Sequence, residues 1–170
     1  AAPMRQKPPI ILLEFNELTP ALVDRFIDQG ELPNFRRFRD EAQAFVTDAQ
    51  ERAEFLEPWI QWVTVHTGLK YGEHHLFHLD EGHTLRAKRI WDVLSEAGQP
   101  SWICGSMNVG PVPAMKGALV PDPWCTQVPP TPPELASYFR FIQQSVLEYS
   151  NELLSQAYEI PDDLQQLRQD

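Results

Sequence analysis

Apolar and polar positions along this chain follow two different periods, and each switch between them marks an element. Ile10 to Phe15 is a continuous apolar run broken only by Glu14, the pattern of a strand buried on both faces of a parallel sheet. Thr19-Pro20 then predicts a helix start, with Leu22, Val23, Phe26 and Ile27 as the buried stripe and Gly30 as the stop. Leu32-Pro33 opens a second helix with Phe35, Phe38 and Ala42 inward, and Ala44-Phe45-Val46 reads as a short strand. At Glu57-Pro58 the chain enters a third helix, in which Trp59, Trp62, Val63 and His66 recur at helical spacing before Thr67-Gly68 ends it. A further amphipathic helix turns Leu85, Ile90, Trp91, Leu94 and Ala97 to one side and stops at Gly98, and Ser101 to Cys104 is another strand.

Strands alternating with helices predict an α/β fold, with a doubly wound, mostly parallel sheet flanked by helices. Ligands of such sheets sit at the carboxyl ends of the strands, where Asn16-Glu17, Asp48 and Gly105-Ser106 would arrive. The composition shifts at Pro121 to Pro133, where six of thirteen residues are proline. Beyond it Thr131 and Glu134 form a capping-box signature, and Leu135, Phe139, Ile142, Val146, Tyr149 and Leu153 predict a long amphipathic helix. The expected organisation is therefore residues 1–125 as one α/β portion and 126–170 as a proline-rich linker with a long helix. Trp59, Trp62, Trp91 and Trp102 are expected in the core, and Trp124, among the prolines, partly exposed.

Composition narrows the function. The formal net charge is −10, and no run of Lys or Arg exceeds two residues. A binder of the nucleic-acid backbone needs a basic face, so that class is disfavoured. No apolar run approaches the ~20 residues that span a bilayer, so no membrane partner is expected. Cys104 and Cys125 are too few for a disulfide scaffold and match no zinc spacing. The cytoplasm is favoured, with export left open.

The candidate chemistry begins at Glu57. Pro58 in the first helical position puts Glu57 at a helix N-terminus, where unpaired N–H groups and the macrodipole favour an anion. A carboxylate there can attack phosphorus, bind a metal, or occupy the anion site. Glu14 and Asn16 lie two apart on a predicted strand and so point the same way, with Glu17 at its end. A carboxylate inside an apolar run needs a partner: a metal, an Arg or Lys, or backbone N–H groups. His74 and His78 are four apart, but such a pair in a loop arises often by chance and does not by itself carry a metal site. His66 is expected to be a packed, hydrogen-bonded histidine.

One ordered series of motifs points further: Phe15-Asn16-Glu17, Thr19-Pro20, Gly30-Glu31-Leu32-Pro33-Asn34, Trp62 to Gly68, His74, Ile90 to Leu94 with Gly98, and Lys116-Gly117. In this order they resemble the N-terminal half of a type I phosphodiesterase/nucleotide pyrophosphatase domain of the alkaline phosphatase superfamily. The resemblance covers about two thirds of the chain. It implies a metal-dependent hydrolase or transferase of phosphate or sulfate esters, using zinc or manganese. Its metal-binding Asp falls at Asn16, and its nucleophile at Glu57 when Trp62 and Thr64 are aligned with one inserted residue. Glu57 and Thr64 are then the catalytic candidates, and Asn16, Glu14 and Glu17 the metal candidates. The substrate would be a small phosphate or sulfate ester, and a second chain could complete the site. Because Asn16 and Glu57 depart from the family's letters, the alternative is a binding or regulatory module that keeps the fold without the chemistry.

Overall fold

The structure is a computed structural model that describes residues 9–113 and 115–150, the last four by backbone alone. It is a mixture of helices and a small parallel sheet, α/β in broad class. The chain divides into two compact units, Ala1–Asp48 and Ala49–Asp170, which are taken one at a time.

The first unit is built on α1 (Pro20–Asp28) and α2 (Pro33–Glu41). A proline opens each helix, where its missing N–H has no intrahelical partner to lose. Thr19 occupies the N-cap position of α1, although its hydroxyl makes no capping bond. The chain leaves α1 through Gly30 at φ +80°, a left-handed conformation that suits glycine. Arg36 on α2 donates to the Ile27 carbonyl at the end of α1, and Arg39 pairs with Asp24 at 2.9 Å. Of the expected stripe Ile27 is buried and Val23 half-buried, while Leu22 and Phe26 stay exposed, as does Phe38. The runs Ile10–Phe15 and Ala44–Val46 lie in no ladder, and Asn16-Glu17 form a turn. Ile10, Ile11 and Val46 are almost fully exposed. The expected strands differ from the observed chain for a physical reason: a run apolar on both faces becomes a strand only where neighbours pair its edges.

In the second unit, α3 (Pro58–Thr67) has the ends its sequence predicts. Glu57 is the N-cap residue, Pro58 opens the helix, and Gly68 closes it at φ +74° with its N–H on the Thr64 carbonyl at 2.8 Å. Ile60 and Val63 are fully buried. A short α4 (Tyr71–His74) follows, then α5 (Ile90–Glu96), with Gly98 in the left-handed region just beyond. Two strands, β1 (Ser101–Cys104) and β2 (Gly117–Val120), pair in parallel from Ser101 opposite Gly117 to Cys104 opposite Val120. Gly117 cannot be replaced there: its φ is +132°, and a Cβ would come within 2.0 Å of the Ser101 carbonyl oxygen. Trp91, Ile103, Val109, Leu119, Cys125 and Val128 form the core, with Val112 and Met115 packed on it.

Three expectations about this unit are corrected. Of the stripe expected on α5 only Trp91 is buried: Ile90, Leu94 and Ala97 are exposed, and Leu85 precedes the helix, which starts at Ile90. Trp102 is 80% exposed, because Ile103 takes the inward face of β1 and strand neighbours point to opposite sides. Thr131 does not cap a helix. Its N–H and carbonyl are both committed to Leu119, at 2.8 and 2.7 Å, so a turn of 3-10 helix at Pro133–Leu135 precedes α6 (Ala136–Ser150). Phe139 is buried, Ile142 and Val146 are half-buried, and Gln143 donates to the Cys125 carbonyl at 3.0 Å, so α6 packs within this unit. The expected contributions of Tyr149 and Leu153 lie outside the described side chains. No helix among the described residues is long and apolar enough to cross a membrane.

Candidate functional site

Glu57 stands exposed at the entrance of α3, with extended backbone (φ −62°, ψ 140°) and no capping bond from its side chain. Its main-chain carbonyl already accepts from Ile60 and Gln61, at 2.9 and 3.0 Å. With Pro58 contributing no N–H, the helix start offers an anion fewer donors than an ordinary first turn.

Thr64 is half-buried two turns further along α3, about 10 Å from Glu57 along the axis at 1.5 Å per residue. The two catalytic candidates thus belong to one helix but not to one contact. Thr64 meets His74 instead: its Oγ1 lies 3.3 Å from Nε2. The other ring nitrogen, Nδ1, accepts the Leu76 N–H at 3.1 Å. Both ring nitrogens are engaged within the protein, which removes His74 from any histidine metal clip. Burial, followed by the neighbouring His75, holds the His74 pKa below its ordinary value against the opposing pull of Glu51 and Glu73.

The carboxyl edge of the parallel strands carries a second group of polar residues, all buried. After β1 comes Ser106, whose Oγ lies 3.4 Å from His66 Nε2. His66 is packed against the Trp91 ring at 4.5 Å, as the helical spacing predicts. Asn108, at φ +52°, joins three segments. Its amide donates to the carbonyls of Trp59 and His78 at 2.8 and 3.2 Å, and its oxygen accepts the N–H groups of Glu81 and Gly82 at 3.1 and 3.0 Å. Arg89 is buried beneath it and donates to the carbonyls of Gly82 and Asn108 at 2.6 and 2.9 Å. Burial lowers its pKa to about 10, with Asp92 opposing, so it stays charged at neutral pH.

Two residues past β2, Asp122 is 2% exposed. One carboxylate oxygen accepts the Trp124 N–H at 3.0 Å, and the other makes no hydrogen bond. Burial above all, with the charge of Asp80 adding to it, raises the carboxyl pKa to about 6 against the hydrogen bonds that favour the anion. Asp80 behaves oppositely. Burial raises it, but bonds from the hydroxyl and N–H of Thr126 and the N–H of Gln127 outweigh that and leave it lowered.

Glu14, Asn16 and Glu17 belong to the first unit, Glu14 half-buried and the other two exposed. With the chain turning at Asn16-Glu17, Glu14 and Asn16 do not share the face of a paired strand. Among the described residues no three His, Cys, Asp or Glu are placed to hold a metal ion. The donor set among the described residues does not by itself fit the zinc or manganese centre that the resemblance implies.

Asn108, Arg89 and Asp122 were not singled out by pattern. Arg89 had a weak signal in Asp92 three residues on, which accepts the Arg89 N–H at 2.8 Å. Asp122 had one in its place just past the apolar Ala118-Leu119-Val120. No protein family profile, curated protein or solved structure gives a significant match to the chain.

Proposed function

We propose that this chain carries the attacking end of a hydrolase or transferase of phosphate or sulfate esters, built on a doubly wound, mostly parallel sheet to which β1 and β2 belong. The observation that carries the reading is Glu57: an exposed carboxylate at the mouth of α3, not spent on capping the helix. For a phosphate ester, a Glu57 oxygen attacks phosphorus, the bond to the ester oxygen breaks, and the alcohol leaves after taking a proton from solvent. Water then cleaves the acyl phosphate, restoring the carboxylate and releasing phosphate. Two anions repel at this step, so a cation is needed to bring them together.

The competing reading is a binding or regulatory module with the same fold. The amide of Asn16 in place of a ligating carboxylate favours it, as does the lack of a three-ligand group among the described residues. Elemental analysis of the unchelated protein, together with phosphate binding by Glu57→Thr, separates the two. Near-stoichiometric zinc or manganese supports the enzyme. A metal-free protein whose Glu57→Thr variant gains phosphate binding, with its fold intact, supports the module and identifies Glu57 as the group that closes the site.

A further inference from the structure

We propose that His74 is a positioning residue that acts only as the neutral Nε2–H tautomer, fixing the Thr64 hydroxyl as a hydrogen-bond donor and releasing it when the ring is protonated. The geometry follows from the two ring contacts. The Leu76 N–H can only donate, so Nδ1, 3.1 Å away, must be the unprotonated nitrogen. The proton of the neutral ring then sits on Nε2 and points at Thr64 Oγ1, 3.3 Å away. A hydroxyl oxygen that receives this bond turns its own hydrogen elsewhere. His74 therefore cannot take the Thr64 proton in the manner of a general base, and Thr64 is prepared to donate to an anionic oxygen, such as that of a phosphate or sulfate ester, and not to attack it.

Protonation would place an N–H on Nδ1 opposite the Leu76 N–H, with both groups buried. That contact must open, and the ring that holds Thr64 moves with it. The surroundings keep the ring neutral. On α4 it faces Glu73 and the edge of Tyr71, with ring centroids 5.8 Å apart, and just beyond α4 lies His75. Glu51, which accepts the Tyr71 N–H at 3.1 Å, faces it from the preceding loop, and α3 brings the Thr64 hydroxyl. The carboxylates favour the charged ring, yet burial and His75 prevail.

The role assigned to Thr64 rests on the ester-hydrolase reading, but the state of the ring can be measured without turnover. Long-range 1H–15N spectra of the labelled protein are expected to show His74 protonated on Nε2 at neutral pH. They should also show one titration step below its ordinary 6.5, with the Leu76 amide and Thr64 methyl signals moving in that same step. In His74→Asn the side-chain oxygen replaces Nδ1, so the Leu76 amide should lose that pH-dependent step. An Nδ1–H tautomer, a midpoint at or above 6.5, or Leu76 and Thr64 signals that ignore the ring would overturn the proposal. If His74→Asn does not fold, the titration of the unaltered protein decides. Absence of ester turnover with the expected tautomer would count against the hydrolase reading alone.

Discussion

Replacing Asp122 with an asparagine should change how the stability of the second unit depends on pH. The folded carboxyl titrates at about 6 and the ordinary value is 3.8, so the folded state holds the proton more tightly than the unfolded chain. A carboxyl raised in this way favours folding when protonated. Its contribution is therefore lost as pH rises from about 4 through about 6 and is level above that. About two pKa units correspond to roughly 3 kcal/mol in total, of which about 2 kcal/mol falls between pH 4.5 and pH 8. The introduced amide would face the Trp124 N–H and put its NH2 in place of an oxygen that has no partner, a fixed cost independent of pH. The informative quantity is thus a double difference. Urea unfolding of parent and Asp122→Asn at about pH 4.5 and about pH 8 should show the variant gaining about 2 kcal/mol on the parent between the two. Stability differences equal at both pH values, to within roughly 0.5 kcal/mol, would refute the assignment of a buried, readily protonated carboxyl.

Other perturbations follow from the same unit. Asn108→Ala would strand the carbonyls of Trp59 and His78 and the N–H groups of Glu81 and Gly82, so a loss of at least about 3 kcal/mol is expected in the same assay. A loss under about 1 kcal/mol would show that water replaces those bonds. Gly117→Ala should prevent the pairing of β1 and β2, seen as lost amide protection from Ser101 to Cys104, because the new Cβ meets the Ser101 carbonyl. Gly72→Ala, which meets nothing within 4 Å, is the control and should leave that protection unchanged.

What the sequence could and could not reveal divides along the range of the interactions. Both ends of α3 were legible because Pro58 and Gly68 act through their own backbone geometry, and the stop at Gly98 is equally local. Burial of His66 and partial exposure of Trp124 followed from helical spacing and proline context. The run Ile10–Phe15 reads as a strand by composition, yet a ladder needs partners that its own residues do not specify. Thr131 and Glu134 have the spacing of a capping box, but the pairing with Leu119 claims Thr131 first. Asn108 was invisible for the same reason, since its bonds reach residues 26 to 49 positions away. In the candidate site, Glu57 was legible from Pro58, whereas the partner of Thr64 depended on where the chain returns with His74.

The central claim is that the Glu57 carboxylate attacks an ester at the mouth of α3. It is tested most directly by following 4-nitrophenolate release from bis(4-nitrophenyl) phosphate and 4-nitrophenyl sulfate, with zinc or manganese supplied, for the parent and for Glu57→Gln. The account predicts release by the parent and a fall of about 100-fold or more in kcat for the variant, since an amide cannot serve as the nucleophile. Equal rates in the two proteins, or no release by a folded, metal-supplied parent, would contradict it.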